Sequence, residues 1–225
     1  MTKTRQRISA EDQRRAVELN TRGLNHFRTW DMAEAVADFE AAAHLVPNHA
    51  DYWLNHARAL ARSGDYDRAL KSLAEFIRVE KDVELVDRYE RLFANAMDEV
   101  ETLLAQKMTA AELPMEEIGA AIQMWLEYRI TIGRQPLVIR KPETWAAALD
   151  FTIRRVNLKI VPAKDVAAHY GISEQTLRAR HYALIKTLDI MPCDYRYFSG
   201  KDNPLDKLVE AAEMLAQLEE RFQQP

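Results

Sequence analysis

Apolar residues in the first third of the chain recur at helical spacing, and the pattern itself repeats after 34 residues. Aligning Gly23 with Ala57 also aligns Leu19 with Trp53, Ala35 with Ala69 and Phe39 with Leu73. Each copy predicts two helices joined by a turn, the second turn being SGDYDRA at residues 63–69. Small residues at Gly23, Ala35 and Ala42 let the paired helices approach closely, and Pro47 ends the second helix of the first copy; Lys81 stands where a second Pro would fall. A third copy fails, because Asp87 and Arg91 occupy the aromatic and small positions. Residues 84–107 instead read as one helix with Leu85, Tyr89, Leu92, Phe93, Ala96, Val100 and Leu103 or Leu104 on one side, closing the apolar end of the array.

The remaining half, from residue 108 on, reads as a second helical region. IGAAIQMWLEY predicts a helix over 116–131 with Trp125 and Tyr128 in the core, assigned to the second domain. GRQPLVIRKP breaks it twice with Pro, leaves 136–140 as loop, and extends Lys141 before a helix that starts at Pro142. In VAAHYGISEQTLRARHYAL, residues 166–184, Gly171 permits the positive φ of a sharp turn and Ser173 stands as N-cap of the next helix. Thr176, three residues on, makes this a simple cap and not a capping box. Val166, Ala167 and Tyr170, then Ile172, then Leu177, Leu184 and Ile185 supply a buried seam, with Ala167 small enough for a steep crossing: a helix-turn-helix pattern. Beyond a polar and aromatic loop, Asn203 and Pro204 open a last amphipathic helix with Leu205, Leu208, Ala212, Leu215 and Phe222 in a stripe. That stripe is under three heptads long, which favours packing on its own chain, as a monomer, over dimerisation. No window alternates apolar and polar residues as a strand would, so the fold class is all-α, with about ten helices and no sheet. The expected domains are 1–107, a hairpin array with its closing helix; 108–190, a helical domain with the helix-turn-helix; and 191–225, a loop and helix.

The 34-residue pattern resembles the tetratricopeptide repeat (TPR): Gly23, Ala35, Phe39, Ala42 and Pro47 fall where that family places small, small, aromatic, small and Pro. The resemblance implies a concave face, lined by the first helix of each repeat, that holds a protein or peptide ligand. By the repeat phase its residues are Asn20, Leu24, Phe27, Arg28, Leu54, Arg58 and Arg62. Arg58 and Arg62, one turn apart, would offer two guanidinium groups to a carboxylate or acidic peptide, or else pair with their own acidic domain. Chaperone-tail-binding members use a Lys and Asn clamp; Asn20 and Leu24 at those positions depart from it.

KPETWAAALDFTIRRVN, PAKDVAAHYGIS and TLRARHYAL together resemble the helix-turn-helix half of a cyclin-box repeat of the transcription factor IIB kind, over about residues 118–190. Thr176, Leu177, Arg178, Arg180 and Leu184 match the family's order, and His181 replaces its aromatic. Charge changes the picture here. Residues 1–128 carry 16 Lys and Arg against 23 Asp and Glu, residues 129–187 carry 11 against 4, and residues 188–225 carry 4 against 8, within a formal net charge of −4. A basic third containing the motif suits a module that contacts double-stranded DNA, or a basic face docked on the protein's own acidic part. On the DNA reading Ser173, Glu174 and Gln175 face the groove and Arg178 reaches a base edge or phosphate. Arg180, Arg154, Arg155, Lys159 and Lys164 supply phosphate contacts. Many helix-turn-helix proteins bury an aliphatic residue where Arg180 stands, so either the helix is rotated or Arg180 is paired internally.

Composition excludes more than it assigns. With 48% hydrophobic and 29% charged residues the balance is globular, no run is long enough to span a membrane, and MTKTRQRISAEDQRR is too polar for a secretory signal, so a cytoplasmic protein is expected. Cys193 is the single cysteine, with no base or second thiol beside it. The six histidines are dispersed, and the sequence holds no HExxH, no phosphate-binding glycine loop and no nucleophile paired with a base. Carboxylate runs such as DEVE (98–101) and MEEI (115–118) read as solvated helix faces. The expectation is a non-enzymatic protein without cofactor or metal. It is a transcription-related regulator joining a partner-binding array to a DNA-binding domain or, alternatively, an all-protein scaffold whose helix-turn-helix is structural.

Overall fold

The computed structural model describes residues 8–94 and 96–200. Among these residues the fold is all-helical, with ten α-helices, one 3-10 turn and no strand. The expected helix after Asn203 lies outside the described residues. The described residues divide into two compact units, one up to residue 96 with 126–138 and one of 97–125 with the residues from 139 on, rather than at residue 107.

In the first unit α1 (Ala10–Arg28), α2 (Met32–Leu45), α3 (Ala50–Arg62) and α4 (Tyr66–Val79) pack in succession, each on the next. Ser9 and Asp12 form a capping box on α1, and Asp65 caps α4 after a turn in which Gly64 takes φ +84°. Phe39, Trp53, Leu60, Leu73 and Phe76 are buried among close-packed alanines at 35, 42, 57, 61 and 69. Pro47 ends α2 with a further role, since its carbonyl accepts from the Trp53 indole at 3.0 Å. α5 (Val83–Glu90) adds Leu85 and Tyr89 to this core, Tyr89 lying edge-on to Phe76.

The helix expected over 84–107 is broken. α5 ends in a 3-10 turn at Arg91–Phe93, and a new helix, α6 (Glu99–Ala110), begins in the second unit. The cause is DEVE: Asp98 accepts from the Glu101 amide at 2.8 Å and Glu101 accepts from the Asp98 amide at 2.9 Å, a full capping box that fixes a helix start. α7 (Met115–Thr131) does not belong wholly to the second domain either. Ile130 is fully buried in the core of the first unit with Leu126 against it, and Tyr66 donates to Glu127.

In the second unit α8 (Pro142–Val156) is central, with Thr144 to Ile153 continuously buried. Lys141 is extended and Pro142 opens the helix, as X-Pro sterics require. α6, α9 (Ala163–His169) and α10 (Glu174–Leu188) pack on α8. Trp125 stacks obliquely on Trp145 and donates to Asp98 at 2.9 Å. Asp150, wholly buried, accepts from Arg154 and from the Tyr170 hydroxyl, tying α8 to α9.

Candidate functional site

The segment 166–184 folds as the end of α9, a tight turn and most of α10. Gly171 takes φ +67°, and Ile172 then bonds back to the Ala167 carbonyl at 3.0 Å. Ala167, Leu177 and Leu184 are buried, so the turn is closed by apolar packing on α8. Ser173 accepts from the Thr176 amide at 3.2 Å, leaving the first turn of α10 pointing outward.

Ser173, Glu174, Gln175 and Arg178 are all exposed on that turn and the next. Glu174 takes both Nε and Nη2 of Arg178 on one oxygen, at 2.8 and 2.6 Å, leaving Nη1 outside that bifurcated pair. Lys164 on α9 and Arg155 on α8 are exposed and have no ion pair among the described residues. The other expected phosphate contacts are engaged within the protein. Arg154 is tied to buried Asp150, Lys159 bonds Glu117 at 2.6 Å, and the Arg180 guanidinium lies 4.6 Å over the Trp145 ring. Arg180 is therefore the internally held residue of the two alternatives. Tyr182 and Lys186, missed from the sequence, extend the exposed stripe; their signal was the four-residue spacing from Glu174 through Arg178.

The expected ligand face of the first unit looks different. Arg58 donates to the Thr131 carbonyl at 3.0 Å and to Asn55, and burial lowers its pKa. Asn55 in turn donates to Asn20 at 3.0 Å. Arg62 is 7% exposed, its guanidinium 4.1 Å over Trp30 and 5.0 Å over Phe27. The pair expected to greet an acidic ligand is thus occupied by backbone and aromatic rings. Leu54 is buried, Leu24 and Phe27 are half-buried, and Arg28 is exposed, bonding Asn25.

The occupant is the chain itself, residues 131–135. The Gly133 carbonyl accepts from Tyr89 at 3.0 Å and from Arg88, which also reaches the Gln135 carbonyl at 2.6 Å. Arg134 forms ion pairs with Asp51 and Glu80. Burial works against the Glu80 carboxylate, yet the amides of Asp82 and Lys81 and the Arg134 guanidinium outweigh it and hold its pKa below the ordinary value. A hollow of about 530 Å³ remains between this segment and Asn20, Leu24 and Leu54.

No family model matches the chain, and no solved structure matches it. Over 99 residues it is 30% identical to the Uncharacterized protein YccF of Bacillus subtilis (strain 168). The match covers 43% of this chain and 27% of that protein, whose name states no activity. Among the described residues no cluster of His, Cys, Asp and Glu is arranged to hold a metal ion, and no helix is long and apolar enough to cross a membrane.

Proposed function

We propose that the chain is a non-enzymatic, cytoplasmic regulator that binds double-stranded DNA through the helix-turn-helix formed by α9 and α10, and a protein partner through its TPR-like hairpins. The observation that carries the DNA half is the open first face of α10: Ser173, Glu174, Gln175 and Arg178 are exposed beyond an intact cap, within a basic stretch of sequence. A helix presented in this way suits the major groove, where an arginine can read guanine. Lys164 and Arg155 supply free cations for phosphates.

The test is binding of the full chain to random duplex across a salt series. Arg178→Ala is expected to cost about 1–3 kcal/mol on a preferred site and to relax specificity at one position. Lys164→Ala is expected to weaken all sequences alike and lower the salt slope by about 1. Undetectable binding at low salt would leave the scaffold reading. That alternative has its own support, because Arg154, Lys159 and Arg180 are engaged inside the unit and add nothing to a phosphate footprint.

A further inference from the structure

In the second unit a groove of about 380 Å³ lies between the end of α8, residues 158–160 and the second half of α10. Arg155, Val156, Leu158, Ile160, Ile185 and Met191 form its walls. Three of these side chains are unusually open to water: Leu158 is 53% exposed, Met191 54% and Ile160 97%. Singly exposed apolar residues are ordinary, but three converging on one concavity mark a surface that is more stable when covered.

The polar end of the groove can be read atom by atom. The Thr152 hydroxyl donates to the Ala148 carbonyl at 2.6 Å, which commits its proton. The 2.8 Å contact between Thr152 and His181 is therefore donated by the His181 Nδ1–H, and Nε2 carries a lone pair. Burial first, then the charges of Arg155 and Arg178, push the His181 pKa down to about 4, so the ring is neutral. Lys159 is committed to Glu117 at 2.6 Å. That leaves Arg155, exposed and without an ion pair among the described residues, as the free cation on an apolar wall.

We propose that this groove binds a free aliphatic carboxylate of medium chain length, its head group on Arg155 and its chain between Val156, Leu158, Ile160, Ile185 and Met191. A guanidinium holds a carboxylate through two parallel hydrogen bonds, and burial of the chain removes the exposed methyl groups from water. The site shares Arg155 with the DNA reading, but its occupancy is measured without DNA, so the failure of one leaves the other standing.

The experiment titrates the full chain with decanoate, below its micelle-forming concentration, and follows backbone amide shifts by NMR. Saturable shifts are expected at 152–160 and 181–192, with decylamine at least about tenfold weaker. Arg155→Gln should weaken decanoate about tenfold while leaving decanol binding unchanged, and Ile185→Trp should block both by filling the groove. Unsaturable or scattered shifts, equal affinity for decylamine, or indifference to Arg155→Gln would overturn the proposal. So would binding to phosphatidylglycerol vesicles without binding to monomeric decanoate, or self-association that protects these amides and is lost in Ile160→Asp.

Discussion

A Cβ added to Gly23 would lie 2.8 Å from the Phe39 ring, closer than packed carbons approach, and Phe39 is 1% exposed. Two effects compete on substitution. Alanine gains about 1 kcal/mol of helix propensity over glycine, whereas forcing a methyl group into a filled core costs about 1–3 kcal/mol. The ring contact outweighs the propensity gain over most of that range, so Gly23→Ala is expected to lower stability by about 1 kcal/mol, and by at most about 2, read as a reduced urea midpoint at unchanged slope. A neutral or stabilising result would mean that Phe39 can shift aside. This position was legible in the sequence because a small residue opposite an aromatic, repeated as Ala57 opposite Leu73, has a packing cause. Arg58 and Arg62 were not legible in the same sense. The repeat phase puts them on one face with Phe27, over which both guanidinium groups lie, but nothing in the local sequence names Thr131 or Trp30 as what that face meets.

Helix existence followed from periodicity, whereas helix ends followed from caps that had to be recognised as caps. Ser173 was read correctly, with the turn at Gly171 before it. Asp98 was not: within DEVE it looked like one of several solvated carboxylates, and the apolar stripe from Leu85 to Leu104 ran on across it. The stripe persists because Leu85 and Leu104 are both buried, in different units, so a continuous pattern conceals a change of partner. α7 conceals the same change, with Trp125 buried in one core and Ile130 in the other. Asp98→Ala should therefore destabilise the second unit by about 2–4 kcal/mol, through loss of the α6 cap and of the acceptor for the Trp125 indole. Asp98→Asn, which keeps an acceptor oxygen, should recover most of it. If both variants melt like the parent, the helix start at Asp98 has another cause.

At the scale of the whole chain, the charge segregation visible in the sequence did not reveal which cations are free, because burial decides that. The same burial acts on two histidines and makes stability depend on pH. His56 in the first unit is 4% exposed, with Nδ1 2.9 Å from Ser72 Oγ and Nε2 without a hydrogen-bond partner among the described residues. Burial is the main cause that lowers its pKa from 6.5 to about 4; Arg68 and His44 add to the shift while Glu40 and Asp65 oppose it. His181 in the second unit is lowered from 6.5 to about 4 as well. Between these limits the unfolded chain takes up protons that the folded chain refuses. The stabilisation is therefore complete above about pH 6.5 and is lost as the pH falls toward 4. The full loss is on the order of 3 kcal/mol for His56, and less for His181, which solvent screens more. The interval from about pH 6.5 to 5 is diagnostic, since ordinary carboxylates titrate below it and Glu80 lower still. Denaturant melts across that interval should show stability falling with acidification, and His56→Gln, which cannot take up the proton, should flatten the fall. A parent protein equally stable at pH 7 and pH 5 would show that water or a rotated ring already satisfies these imidazoles, and that neither histidine is held neutral by its surroundings.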